Sequence, residues 1–376
     1  MRKNPDSLSG KLLITVFVCL ISFSFIALPG EISITPLLDT PSNQIYYDEL
    51  LRSVKEAETS IKVMMATADY YPDYPEGLQD QIYDSLVKAK KRGVEVRIIL
   101  DKSNWSEEVT RTNEQTAIYL RNRGLKVKFD DPKVTTHAKT VIIDEKVVFL
   151  GSSNWNFPTY AETYQTNVKL VSGKIGGFYG RFFDKVWQGE LPNRFDIPDI
   201  SEEKSVTPLI SAGEQRAYYR AAKGLIKRAN ESIDLILFKI TRYDQFGQSM
   251  SNKLTEELVR ARNRGVEIRV VLDVNTWSGE INKSNRETAL WLLGKGLRQV
   301  KFDSPQATTH SKVLIVDEKS MLLGSSNWSY YSLAKNVEID LLMKNIPSAV
   351  RPFEVYFEEV WERADIPSRE ELSGGL

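Results

Sequence analysis

The chain has only two histidines, His137 and His310, and both stand in the same frame of neighbours. The first frame reads His137-x-Lys139-x4-Asp144-x6-Gly151-Ser152-x-Asn154. The second reads His310-x-Lys312-x4-Asp317-x6-Gly324-Ser325-x-Asn327. An imidazole can attack an electrophile or carry a proton near neutral pH. An ammonium two residues away adds a compact positive charge, and hydroxyl and amide groups add further hydrogen bonds. Such a set suits the gripping and attack of a phosphate. The one cysteine, Cys19, permits neither an internal disulfide nor a Cys-based metal site.

The elements that must position these groups can be read around them. After each histidine comes a β-branched apolar run, 140–143 and 313–316, then Asp-Glu-Lys and a second apolar run. That pattern predicts a β-hairpin. A turn centred on Glu145-Lys146 would set Lys139 opposite Ser152 and His137 opposite Asn154. The second copy would set Lys312 opposite Ser325 and His310 opposite Asn327. Directly opposed residues share a face, so each hairpin is expected to present all four groups together. Asp144 and Asp317 have the other parity and read as turn carboxylates.

The frames belong to a longer duplication. Arg92-Gly-Val-Glu-Val-Arg-Ile-Ile-Leu-Asp101 recurs as Arg264-Gly-Val-Glu-Ile-Arg-Val-Val-Leu-Asp273, and Tyr46-Tyr47 recurs as Tyr218-Tyr219. Within each copy, strand-like runs (60–68, 94–101, 126–130) alternate with helix-like ones (79–92, 112–123). An α/β fold with a largely parallel sheet covered by helices is the expectation. Repeat 1 is placed at 40–191, a Pro- and Ser-bearing linker at 192–213 and repeat 2 at 214–366.

At the start, Arg2, Lys3 and Lys11 precede an apolar run from Leu12 to Leu28. Residues 1–30 therefore read as a signal peptide or a membrane anchor, and basic residues on that flank place the remainder outside the cytoplasm. Fifty basic residues balance fifty acidic ones, so no global charge draws the chain toward nucleic acid. Trp155 and Trp328 read as core, as do the aromatics of 178–187 and 352–361. Trp105 and Trp277 either line a cleft mouth or pack inside, with packing favoured.

The doubled motif resembles the His-x-Lys-x4-Asp signature of the phospholipase D superfamily, extended by Gly-Ser-x-Asn, over nearly the whole chain after the apolar segment. The resemblance implies two phospholipase D-like α/β/α units packed as a pseudo-dimer within one monomer, both motifs meeting in one cleft. It makes His137, Lys139, Asp144, His310, Lys312 and Asp317 the catalytic motif residues. One histidine would form a phosphohistidine. The other would protonate the leaving alcohol and then activate water or an acceptor alcohol. The lysines with Ser152, Asn154, Ser325 and Asn327 would hold the phosphate oxygens, with no metal and no other cofactor.

The family also carries a carboxylate beyond Gly-Ser-x-Asn that supports a histidine. Glu338 fits in the second copy, and Gln165 departs from the pattern in the first. Given to His310, Glu338 makes His310 the general acid and leaves His137 as the neutral nucleophile; Asp340 and Asn167 are the alternative pair. The implied substrate is a phosphodiester. A phospholipid at a membrane surface is favoured, cleaved by phospholipase D-type hydrolysis or transphosphatidylation. An extracytoplasmic nuclease and a cardiolipin-synthase-like transferase are the alternatives. A non-catalytic binding module would require the two motifs to stay apart.

Overall fold

In the computed structural model the described residues are 26–28, 32–72, 77–102, 105–157, 163–192, 195, 205–367 and 372. The apolar runs pair into two sheets of one topology. Repeat 1 contributes β1 (Ile26–Leu28), β2 (Ile32–Asp39), α1 (Ile45–Glu56), β3 (Ser60–Met65), α2 (Leu78–Lys91), β4 (Glu95–Leu100), α3 (Glu107–Asn122) and β5 (Lys126–Phe129). It continues with β6 (Lys139–Ile143), β7 (Val147–Gly151), β8 (Thr163–Val171) and α4 (Gly173–Trp187). Its strands lie in the order β1-β2-β8-β7-β6-β3-β4-β5.

Repeat 2 contributes β9 (Val206–Ala212), β10 (Gln215–Arg216), α5 (Ala217–Arg228), β11 (Ser232–Leu237), α6 (Met250–Asn263), β12 (Glu267–Leu272), α7 (Gly279–Gly294) and β13 (Gln299–Phe302). It ends with β14 (Thr308–Thr309), β15 (Lys312–Val316), β16 (Ser320–Gly324), α8 (Tyr330–Ala334), β17 (Glu338–Met343) and α9 (Pro347–Arg363). The order here is β10-β9-β17-β16-β15-β11-β12-β13.

Two expectations need correction. Within each repeat only β3, β4 and β5, and likewise β11, β12 and β13, run parallel; the other strand pairs inside a repeat are antiparallel. Helices join the parallel strands, whereas β6 follows into β7 through a tight turn that only antiparallel neighbours allow. The repeats also begin earlier than read. Strand β2 precedes residue 40, and β9 falls inside the expected linker 192–213 and pairs with β17. Pro36 and Pro208 at equivalent places disguise these two strands. Of the expected segment 1–30, Ile26–Leu28 pair with β2, and the rest lies outside the described residues. No helix among the described residues is long and apolar enough to cross a membrane.

Three cores result. Helices α1, α2 and α3 cover one face of the first sheet through Leu50, Leu86 and Leu120 against Ile61, Val63 and Ile98. Leu258 and Leu292 of α6 and α7 do the same against Leu235 and Val270. Ser106 and Ser278 start α3 and α7 by accepting from the N–H groups of Val109 and Ile281, as N-caps do. The third core joins the repeats. It takes Ile142, Leu150 and Val168 from one sheet and Val313, Leu323 and Ile339 from the other, with Phe178 and Phe182 of α4 and Phe353 and Phe357 of α9. Trp155 and Trp328 are buried, as read.

Candidate active site

Each histidine hangs from the opposite repeat. The His137 N–H donates to the Val337 carbonyl at 2.9 Å, and the Val337 N–H returns to the Thr135 carbonyl at 2.8 Å. In the mirror arrangement β14 adds in parallel to β8, and the His310 N–H donates to the Tyr164 carbonyl at 3.0 Å. The segment just before each His-x-Lys strand is thus a short strand of the other repeat, and the two motifs converge because the backbone ladder makes them.

The side chains cross in the same way. His137 Nδ1 lies 3.0 Å from Glu338 Oε2, and His310 Nδ1 lies 2.9 Å from the Ser152 carbonyl and 3.2 Å from Gln165 Oε1. Glu338 therefore serves His137, not the His310 of its own repeat. Spacing along the chain had pointed to the wrong histidine. Asp340 and Asn167 are not histidine partners. They bind the Ser325–Ser326 and Ser152–Ser153 segments instead, through Ser326 Oγ to Asp340 Oδ2 at 2.7 Å and Asn167 Nδ2 to Ser153 Oγ at 2.8 Å.

Glu338 is fully buried, yet every bond it makes is a donor's: Ser325 Oγ at 2.5 Å, Ser332 Oγ at 2.6 Å, Asn336 Nδ2 at 3.2 Å and the histidine. Burial raises its pKa, but His137 and these donors outweigh that and hold it below the usual carboxylate value. An ionised Glu338 accepts only, so His137 Nδ1 carries the proton and Nε2 keeps a lone pair. Two carbonyl-type acceptors impose the same tautomer on His310. Burial lowers both imidazole pKa values. For His137 the Glu338 charge opposes the fall; for His310 the Lys312 and Lys139 charges deepen it, leaving it well below 6.5.

Lys139 and Lys312 are buried at the starts of β6 and β15. Each ammonium donates to the carbonyl of the histidine two residues earlier, Lys139 Nζ at 2.6 Å. Burial pushes Lys139 down to about 8 and Lys312 well below its usual value, and such a pair of buried cations is suited to receive an anion.

The hairpin register differs from the expected one by one residue. Thr140 faces Leu150 and Val313 faces Leu323, because the loop holds three residues, with Asp144 and Glu145 (and Asp317 and Glu318) at φ between 51° and 54°. A one-residue slip exchanges faces, so Ser152 does not oppose Lys139. Ser152 Oγ is committed to Gln165 Oε1 at 2.6 Å and Ser325 Oγ to Glu338, so both serines brace the histidine partners rather than sitting at a phosphate. Gly151 and Gly324 let the strands close here. A Cβ would meet Asn167 Oδ1 at 2.4 Å or Asp340 Oδ1 at 2.3 Å.

Asp144 and Asp317 are corrected from motif catalysts to turn residues. Each stands at the far end of a five-residue strand from its lysine, roughly 16 Å away at about 3.3 Å per residue. Asp144 accepts from the N–H groups of Glu58, Thr59 and Ser60, and Asp317 from those of Asn230, Glu231 and Ser232. Asn154 and Asn327 each keep a buried Oδ1 with no hydrogen bond, an uncommitted polar atom beside each motif.

Sequence reading missed two carboxylate pairs. Asp101 Oδ1 and Asp130 Oδ2 both accept the Thr136 N–H, at 2.7 and 3.1 Å. Asp273 and Asp303 do the same for Thr309, at 2.8 and 2.9 Å. Two carboxylates converging on one N–H cannot both be ionised cheaply. Burial, then the Asp101 charge, pushes Asp130 up to about 7, and burial with Asp273 pushes Asp303 well up. They fix the residue before each histidine. Their recurrence at the ends of equivalent strands was the available signal. Also missed was Phe238, whose ring meets the His310 ring at 4.5 Å between centroids. Trp105 and Trp277 are 59% and 64% exposed, against the favoured reading of buried packing. Among the described residues no three His, Cys, Asp or Glu side chains group as a metal site.

A family model described as "Cardiolipin synthase, PLD-like domain" matches residues 50–187 and 223–361. The chain is 24% identical over 319 residues to a cardiolipin synthase A of Buchnera aphidicola subsp. Acyrthosiphon pisum (strain APS), covering 78% of this chain and 63% of that protein. It thus spans less than two thirds of that relative's length. It is 33% identical over 155 residues to phospholipase D Z of Dictyostelium discoideum, covering 38% of this chain and 36% of that one. The fold is similar to that of phosphatidylserine synthase from Haemophilus influenzae Rd KW20, with a TM-score of 0.65, 13% identity, and coverage of 91% of this chain and 89% of that one.

Proposed function

The chain belongs to the phospholipase D superfamily, and from that premise we propose that it transfers the phosphatidyl group of a phospholipid, through a covalent phosphohistidine, to an alcohol or to water. His137 is the nucleophile. The observation that carries this assignment is the buried, ionised Glu338 at its Nδ1. When Nε2 attacks phosphorus while Nδ1 keeps its proton, the ring gains a positive charge, and among the described residues only His137 has a carboxylate at its ring to offset it.

His310 faces neutral acceptors and two ammonium groups. When the phosphodiester anion enters and offsets the two ammonium charges, His310 takes a proton from solvent on Nε2 and gives it to the leaving alkoxide. The acceptor then returns a proton to His310 Nε2 as its oxygen bonds to phosphorus and the P–N bond to His137 breaks. Lys139 and Lys312 bracket the non-bridging oxygens and offset the charge that develops there. The relatives named cardiolipin synthase and phospholipase D support a phospholipid, and they support transfer at least as well as hydrolysis.

The test is a panel of phosphatidylglycerol and phosphatidylcholine vesicles against single- and double-stranded DNA, with and without EDTA, using His137→Ala as the blank. Headgroup release that survives EDTA and vanishes in the variant is expected. Cleavage of DNA alone would overturn the substrate, and loss of activity in EDTA would overturn the mechanism.

A further inference from the structure

We propose that Phe238 and Trp277 form the subsite for the acceptor alcohol, on the His310 side of the cleft alone, and that this wall sets the partition between transfer and hydrolysis. The proposal rests on the reading of His310 as the group that deprotonates the acceptor. Phe238 meets the His310 imidazole at 4.5 Å with the rings 67° apart, and Lys312 Nζ sits 4.8 Å from the same ring. Trp277 stacks on Phe238 at 5.9 Å and 22° and is 64% exposed. Its Nε1–H donates to Thr308 Oγ1 at 3.3 Å, which ties the indole to the strand that leads into His310. An aromatic surface therefore runs from the imidazole out to solvent.

Among its described residues repeat 1 has no such wall. Ala66 stands where repeat 2 has Phe238, and Trp105, the counterpart of Trp277, donates instead to Asp101 Oδ2 at 3.3 Å. An acceptor that gives its proton to His310 must place its oxygen at that ring, and its carbon skeleton then lies along the neighbouring surface. A glycerol-type polyol offers a C–H face that packs on flat rings and gains dispersion contact. Water has no such face, and the one indole donor of the wall is already committed. The wall thus favours an organic alcohol carrying a glycerol group, whether free or on a lipid headgroup. In the step itself the acceptor O–H gives its proton to His310 Nε2, the new O–P bond forms, and the P–N bond to His137 breaks with its electron pair returning to the ring.

The experiment measures the ratio of transfer product to phosphatidic acid in phosphatidylcholine vesicles, with free glycerol in one arm and admixed phosphatidylglycerol in the other. Trp277→Ala, at an exposed position, is expected to lower the ratio roughly tenfold, the factor that about 1.4 kcal/mol of lost contact gives. Phe238→Leu, which keeps apolar bulk, should lower it in the same direction, and Trp105→Ala should leave the ratio as in the unaltered chain. A fall in one arm only identifies the form of the glycerol group that the wall takes. An unchanged ratio in both Trp277→Ala and Phe238→Leu, or an equal fall in Trp105→Ala, overturns the subsite. Absence of any turnover by the unaltered chain overturns the proposed function and the subsite with it.

Discussion

In repeat 1 the side chain that reaches across to a histidine is Gln165; in repeat 2 it is Glu338. The backbone around them is alike in both halves, down to the same hairpin loop, the same close-packed glycine and the same pair of aspartates under the strand. Around the histidines, divergence includes the side chains Gln165 and Glu338, Asn167 and Asp340, Ala66 and Phe238. Even the core shows it. Lys62 is held by Glu145 and Asp184, while its counterpart Asp234 is held by Arg269. Because each partner serves the other repeat's histidine, a substitution in one half changes the chemistry of the opposite half. On the proposed reading, these side chains suit one cradle to a nucleophile and the other to an acid.

The sharpest way to break this comparison is to remove each histidine in turn, using a phosphodiester with a good leaving group. Without His137 no covalent adduct should form. Without His310 the first step needs no acid and the second lacks its base, so turnover should fall by about 10²–10⁴-fold while adduct accumulates on His137. Acid-quench mass spectrometry reads this, and adduct on His310 would exchange the roles.

A smaller effect comes from the partners. Glu338→Gln should lower kcat about 10–100-fold, the range found when a carboxylate that orients a metal-bound imidazole is lost. Gln165→Glu should instead raise the His310 pKa and move the corresponding limb of the pH–rate profile upward. Equal losses from both variants would mean that the difference between the halves is without consequence.

The smallest effect tests where the repeats agree. Asp130 has a folded pKa of about 7 against an ordinary 3.8, so the folded chain holds its proton more tightly than the unfolded one. The stability this gives is fully present below about pH 4 and is lost as the pH rises through about 7. Asp130→Asn should therefore flatten that part of the pH dependence of Tm, and Asp303→Asn should act in the same sense. A response from one repeat alone would end the likeness.

Much of this was legible. Two histidines in identical frames located the motifs, and β-branched runs around Asp-Glu-Lys gave each hairpin. The register was not legible, since Asp144 and Glu145 enter the left-handed region without a glycine to announce it. Nor could spacing along the chain say which repeat's histidine Glu338 would meet, because that depends on how the halves dock. Asp130 and Asp303 look like ordinary residues at strand ends until burial pairs them with Asp101 and Asp273.

The crossed ladders at His137 and His310 also bear on what joins the repeats. Each histidine ring takes its hydrogen-bond partner from the other half, so a half alone lacks the group that orients its histidine. Because both repeats lie on one chain, the halves meet as parts of one molecule rather than as separate ones, and the assembled cleft does not depend on how dilute the protein becomes.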